Sequence, residues 1–298
     1  MTLSDRTQTL ILAGLPSLLA LAIRAAVVAR WHFDGLYGQD SYAYLQQARA
    51  IAHGSLPPDF FWPNGFPLLV AGFLTLFGDS PAAAQLAALL CGTLLPLVVF
   101  LLVRDLFDSP LFATRKLRAA FAAALIAAVA GQPLLSSVVV MADVPALLWA
   151  TLAAWLTVRA VRPQNPPRIA AVLFFAAGAA LGLAIITRWV YLLAAPALAG
   201  FTLYRITRRR LRTWPAAFAP AAAALIVLPQ LALSRHRPDS LLHSWLLGWH
   251  PLNFFAREFQ NVDGHFVYSL PNGLFAALPA GHPAYLFPVL GLAALWGG

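Results

Sequence analysis

The sequence predicts an all-α integral membrane protein, a multi-span bundle of about seven to nine helices with amphipathic helices in its first outer loop. Two observations carry that prediction. The 298 residues are 60% hydrophobic and only 10% charged, with a mean hydropathy of +0.74. Soluble domains run nearer about 45–50% apolar and about 25% charged. The apolar residues are also grouped into long runs, and the runs are separated by arginine-rich segments. A soluble globular enzyme and a disordered chain are both excluded.

The elements follow in chain order. A membrane helix needs about 20 mostly apolar residues. Residues 10–28 meet that need and form the first span. This run is too long, and lacks a small-residue cleavage site, to be read as a removed signal peptide. Residues 67–78 are apolar but short, and are expected partly in the interface. Further spans are expected at 82–103, 119–135, 144–161, 169–186, 191–204 and 214–233. A last apolar run extends from 284 to Gly298. It ends without a polar flank, so the natural chain or assembly is expected to continue. The 23 Pro and 19 Gly are scattered, and mark breaks between and within spans. Cys91 is the single cysteine, so no intrachain disulfide forms, and its apolar surroundings suit a small buried hydrophobe.

The formal charge is +9, and its placement sets orientation. With the N-terminus cytoplasmic, the inside segments hold Arg6 and the 104–118, 159–168 and 205–212 loops. These carry 13 of the 20 Lys and Arg. The outside segments carry 8 of the 11 acids, including Asp34, Asp40, Asp79 and Asp143. The run Arg205, Arg208, Arg209, Arg210 and Arg212 is the strongest anchor, and membrane orientation explains it without nucleic acid. The whole chain, 1–298, reads as one membrane domain. It has a first outer loop at 31–66 and a second long outer loop at 234–283, both rich in aromatics and Pro.

Five segments could carry chemistry. In GQDSYAYLQQARAIAHG, residues 38–54, helical spacing puts Asp40, Tyr44 and Gln47 on one side and Leu45, Ala48 and Ala52 on an adjacent strip. Asp40 is either the helix N-cap or a carboxylate that takes a proton from a hydroxyl. In FFWPNGFPLL, residues 60–69, Pro63, Gly65 and Pro67 set a turn at the membrane surface. In SSVVVMADVPALLW, residues 136–149, Asp143 begins a span on the same face as Asp40, as a cap or as a second functional acid. In GLAIITRWVYLL, residues 182–193, Arg188 lies between two spans with no nearby acid in sequence. It either snorkels to lipid phosphates or serves a site. The second outer loop holds Arg235, Arg237 and His265. Basic and aromatic residues there suit a lipid phosphate bearing a sugar, or ordinary head groups. Its His spacings match no zinc motif. Phosphate-binding loops, dinucleotide fingerprints and nucleophile elbows are absent from the sequence, so nucleotide-driven chemistry is not expected.

The order of these segments resembles a known family. The outer GQDSYAYLQQARAIAHG is followed by FWPNGFPLLVAGFLTLFG, MADVPALLWATLAAWL and GLAIITRWVYLLAAP. That order is similar to the C-type (GT-C) membrane glycosyltransferases, the group of the dolichyl-phosphate-mannose protein mannosyltransferases and the lipid A aminoarabinose transferases. The resemblance covers roughly residues 8–298. It implies transfer of a hexosyl or pentosyl group from a polyprenyl-phosphate donor to an acceptor hydroxyl, with inversion, at the outer face of the cell membrane. It implies Asp40 and Asp143 as catalytic acids and Arg188 at the donor phosphate. Tyr44, Arg235, Arg237 and His265 are the further expected substrate contacts. The implied partners are the donor, a glycan, lipid or protein acceptor, and membrane lipids, without nucleic acid. No cofactor is expected, with a divalent metal left open. Where the protein mannosyltransferases have adjacent Asp-Glu, this chain has Gln39-Asp40 followed by Ser41, which counts against a protein acceptor. The competing reading is a transporter or flippase of a lipid-linked substrate.

Overall fold

A computed structural model describes residues 5–56, 62–107, 116–209, 212–234, 255–261, 264–267 and Pro271. They fall into two compact units. One lies within residues 1–129 and 133–232, and the other within 130–132 and 233–298.

The first unit is helical. Its helices are α1 (Asp5–Trp31), α2 (Gly38–Ala52), α3 (Gly65–Phe77), α4 (Pro81–Leu106), α5 (Lys116–Val129), α6 (Gly131–Val138), α7 (Asp143–Ala160), α8 (Pro167–Thr187), α9 (Ala194–Arg209) and α10 (Phe218–Ser234). Short 3-10 turns at Trp189–Leu193 and Trp214–Ala217 lead into α9 and α10. Among the described residues, five helical segments are long and apolar enough to cross a bilayer. A sixth is gained if α5 and α6, bent by 50° at their junction, count as one span. This is fewer than the sequence suggested, for three reasons. Residues 65–77 form a helix of only 13 residues. α7 is 18 residues long, with Asp143 at one end and Arg159 in its last turn, which lowers its hydropathy. The expected run from residue 284 lies outside the described residues.

α7 is central despite that. It packs against α8 more extensively than any other helix pair, and against α4, which also carries α5 and α1. A bilayer supplies no hydrophobic drive between helices, so close packing of small residues does that work. Ala84, Ala87, Ala88, Ala120, Ala124 and Ala153 are all buried at such contacts. At Gly178 of α8, any Cβ would overlap the Ala219 carbonyl of α10.

The first span holds a charge that hydropathy passes over. Arg24 is fully buried in α1. Its guanidinium spans the α5–α6 break. Nε donates to Ser137 Oγ at 2.6 Å, Nη1 to Ala128 O at 3.1 Å and to Ala20 O at 3.1 Å, and Nη2 to Pro133 O at 3.5 Å. A break at membrane depth frees carbonyls that must be satisfied by protein. Arg24 satisfies them, which explains a cation inside an apolar run.

The second unit contains a short antiparallel hairpin that hydropathy did not predict. β1 (Glu258–Asn261) pairs with β2 (Gly264–Val267), with Glu258 opposite Val267 and Gln260 opposite His265.

Candidate active site

The site lies where α2, the turn before α3, the start of α7 and the end of α8 meet. The chain is held there by buried polar stitches. After α1 the backbone turns at Gly35, with φ +89°, where a Cβ would sit 2.8 Å from Gln85 Cβ. Gln85 of α4 donates to Phe33 O at 3.1 Å and to Val138 O at 2.7 Å. Val140 N–H donates to Gly35 O at 2.8 Å. These bonds set the segment that leads into α2 beside the segment that leads into α7. Asp40 and Asp143, about 100 residues apart in sequence, begin their helices from that common seam.

α2 does not lie on the bundle as its wheel suggested. Tyr44 and Gln47 are buried along with Leu45 and Ala48, while Tyr42 is exposed. The polar residues face inward because polar partners receive them. Gln47 Nε2 donates to Asn64 Oδ1 at 2.8 Å, and Asn64 N–H donates to Gln230 Oε1 of α10 at 3.0 Å. Tyr44 packs edge-on against Phe66 of α3, with ring centroids 5.0 Å apart. The segment before α3 is therefore more than a surface turn. Asn64 is buried, and Gly65 lies so close to the end of α8 that a Cβ would be 2.6 Å from the Ile186 carbonyl.

Asp40 is not a cap. The N-cap of α2 is Tyr37, and Asp40 is the third helical residue. Ser41 Oγ receives the Tyr37 N–H at 2.8 Å and donates to the Tyr37 carbonyl at the same distance. Asp143 is not a cap either, since Ala142 holds that position in α7. Both acids sit in first turns, where the helix dipole favours a carboxylate.

Arg188 is not unpaired. It sits between α8 and the 3-10 turn, in extended backbone that ends α8. Its Nε meets Asp143 Oδ1 at 2.9 Å, and its guanidinium lies over the Trp62 ring at 5.7 Å. Burial pushes the Tyr44 phenol above its ordinary range. The fields of Asp40 and Asp143 add to that rise, while the field and hydrogen bond of Arg188 oppose it. Tyr44 therefore stays protonated. Its hydroxyl marks the point on which all three charges act. Tyr191 stands in the fields of Asp143 and Arg188 as well. The arrangement joins a half-buried cation, two carboxylates and a neutral phenol at one end of the helical unit.

Sequence reasoning missed Trp62, Asn64, Gln230 and Tyr191. A Trp-Pro-Asn-Gly run beside an intramembrane Arg was the available signal for the first two. His265 lies in the second unit, where its Nε2 is 3.4 Å from Glu258 Oε2 in an exposed pair. Arg235 and Arg237 lie outside the described residues.

The profile of the dolichyl-phosphate-mannose-protein mannosyltransferase family matches residues 62–233. The chain belongs to this family. The matched stretch includes Trp62, Asp143 and Arg188, and begins after Asp40 and Tyr44. The fold is similar to the apo oligosaccharyltransferase of Archaeoglobus fulgidus, with a TM-score of 0.60 and 18% identity over 92% of this chain and 37% of that one. It is also similar to the protein O-mannosyltransferase Pmt1-Pmt2 complex of S. cerevisiae bound to its sugar donor, with a TM-score of 0.56 and 17% identity over 78% of this chain and 33% of that one. The chain thus spans about a third of the length of these solved proteins. No curated protein matches its sequence. The GT-C resemblance and the multi-span helical membrane fold are borne out.

Proposed function

We propose that the chain transfers a hexosyl or pentosyl group from a polyprenyl-phosphate donor to an acceptor hydroxyl, with inversion, at the outer face of the cell membrane. The observation that carries this reading is the Arg188–Asp143 ion pair beside the Trp62 ring, with Tyr44 standing in the fields of Arg188, Asp40 and Asp143. Transfer joins the acceptor oxygen to the anomeric carbon. The bond from that carbon to the phosphate oxygen breaks, and its electron pair leaves with the lipid phosphate. Asp40 takes the acceptor proton. Arg188 stabilises the charge growing on the leaving phosphate, supported by Asp143, which orients its guanidinium. A guanidinium has five N–H donors, so one bond to Asp143 leaves donors for an anion. Family membership favours transfer over transport, and the yeast relative binds a sugar donor. The reading calls for no cofactor beyond the donor, and for a glycan, lipid or protein acceptor.

A deletion strain tests the activity. Mass spectrometry of its lipids and envelope glycans should show one polyprenyl-phosphate sugar accumulating and the matching sugar missing. Unchanged lipid and glycan profiles would reject the reading.

The orientation is part of the proposal, with the N-terminus cytoplasmic and the site outside. Single cysteines at positions 55 and 263 should then react with an impermeant maleimide from outside, and one at 210 only from inside. The reverse pattern moves the site to the cytoplasmic face.

A further inference from the structure

The turn before α3, residues 62–65, is built more firmly than a connection requires. Trp62 directly precedes Pro63, which keeps its backbone extended. Pro63 is fully buried and Asn64 is 4% exposed. Asn64 is pinned from two sides. Its Oδ1 accepts from Gln47 Nε2 of α2 at 2.8 Å, and its N–H donates to Gln230 Oε1 of α10 at 3.0 Å. A Cβ on Gly65 would lie 2.6 Å from the Ile186 carbonyl and 2.8 Å from Thr187 N. The turn thus rests on the peptide of α8 that immediately precedes Arg188. The contact that seats the turn also brings Trp62 to Arg188, whose guanidinium carbon lies over the indole ring, 5.7 Å from its centroid. Arg188 Nε meets Asp143 Oδ1 at 2.9 Å. The carboxylate engages one nitrogen, and the indole engages the group as a whole. Among aromatic rings, that of Trp attracts a cation most strongly.

We propose that Trp62 is a positioning residue, holding the Arg188 guanidinium in the orientation that receives the phosphate of the donor. This rests on the role given to Arg188 above. A guanidinium has five N–H donors in a rigid fork, so two fixed contacts decide where the remaining donors point. An arginine side chain otherwise spreads over many rotamers, and ordering it at the moment of binding costs affinity. The turn is tied at once to α2, which carries Asp40, and to the end of α8, so the ring and the base are set by one piece of backbone. Trp62 acts through Arg188, and its loss should therefore matter only while the guanidinium is present.

The test reads binding of farnesyl phosphate, a short polyprenyl phosphate without a sugar, to the full chain folded in detergent. Isothermal titration compares the parent, Trp62→Leu, Trp62→Phe, Arg188→Gln and the Trp62→Leu/Arg188→Gln pair. Trp62→Leu should weaken binding by about three- to thirtyfold, the range for a ring–cation contact from exposed to desolvated. Trp62→Phe keeps a ring with a weaker pull on a cation and should fall between. It carries the test, alone and in the pair, should the leucine variant be unstable. Arg188→Gln should lose about tenfold or more. In that background Trp62→Leu should cost nothing further, which separates action through Arg188 from general damage to the turn. Trp214→Leu, at an exposed tryptophan beyond the end of α9 remote from Arg188, is the control and should bind as the parent does. If Arg188→Gln weakens binding while both Trp62 variants match the parent, the proposal is overturned and the donor reading stands. The proposal is also overturned if Trp62→Leu costs as much with Arg188→Gln as without it. If Arg188→Gln binds as the parent does, the donor reading falls and the proposal falls with it.

Discussion

Asp40→Asn is expected to lower turnover of folded, membrane-inserted protein by roughly 10²–10⁴-fold, the range for loss of a general base. The substitution keeps size and shape and removes the proton acceptor. Its structural cost should be small, because Asp40 is not the cap of α2. Tyr37 holds that position, and Ser41 closes the turn through two bonds of 2.8 Å. What the fold loses is a favourable charge near a helix N-terminus, worth about 0.3–1 kcal/mol. A rate loss of several hundredfold with a nearly unchanged melting temperature therefore points to chemistry rather than to unwinding of α2. Asp143→Asn should cost less, because that carboxylate is engaged by Arg188 at 2.9 Å and is poorly placed to receive a further proton. The deciding measurement is turnover of Asp40→Asn with donor and acceptor both saturating. A rate near that of the parent protein would remove Asp40 as the base.

The spans and the family were legible in the sequence because both depend on local composition and on segment order. α4, α8, and α10 with its leading 3-10 turn, each hold an apolar stretch long enough to cross a bilayer, and arginine-bearing segments lie between them. The site was legible only as separate parts. Asp40 and Asp143 were visible as acids before helices, yet both were open to being caps, since an Asp in a first turn and an Asp at an N-cap look alike in one sequence. Arg188 appeared to lack a partner because Asp143 lies 45 residues away, and only the packing of α7 on α8 closes that distance. Gln47, Asn64 and Gln230 form a chain whose second link joins residues 166 positions apart, which no local pattern encodes. Arg24 was hidden for another reason. A window average over α1 stays high with one charge in it, and the carbonyls that need the charge belong to a bend in a different helix.

The second large effect is expected at Arg188. Arg188→Ala should lower kcat/KM for the donor by about 10²–10³-fold, the scale seen when one group that stabilises a developing anion is removed. Arg188→Lys keeps the charge, loses the planar fork, and should fall between the parent and Ala. The alanine change also disturbs the site itself. It strips Asp143 of its ion pair, Trp62 of its stacked cation and Tyr44 of a hydrogen-bond partner. Loss of rate alone therefore does not separate a role at the leaving phosphate from a role in holding Asp143. Two readouts do. If Arg188 serves only Asp143, then Asp143→Asn should cost as much as Arg188→Ala, and the double variant should be no worse than either. If it serves the leaving phosphate, Asp143→Asn should retain most of the rate. Added guanidinium should then partly restore Arg188→Ala, and the defect should shrink for donors whose leaving phosphate is less basic. Unchanged donor KM and kcat in Arg188→Ala would take Arg188 out of the site. The structure would then retain its ion pair with Asp143 as a brace between α7 and α8.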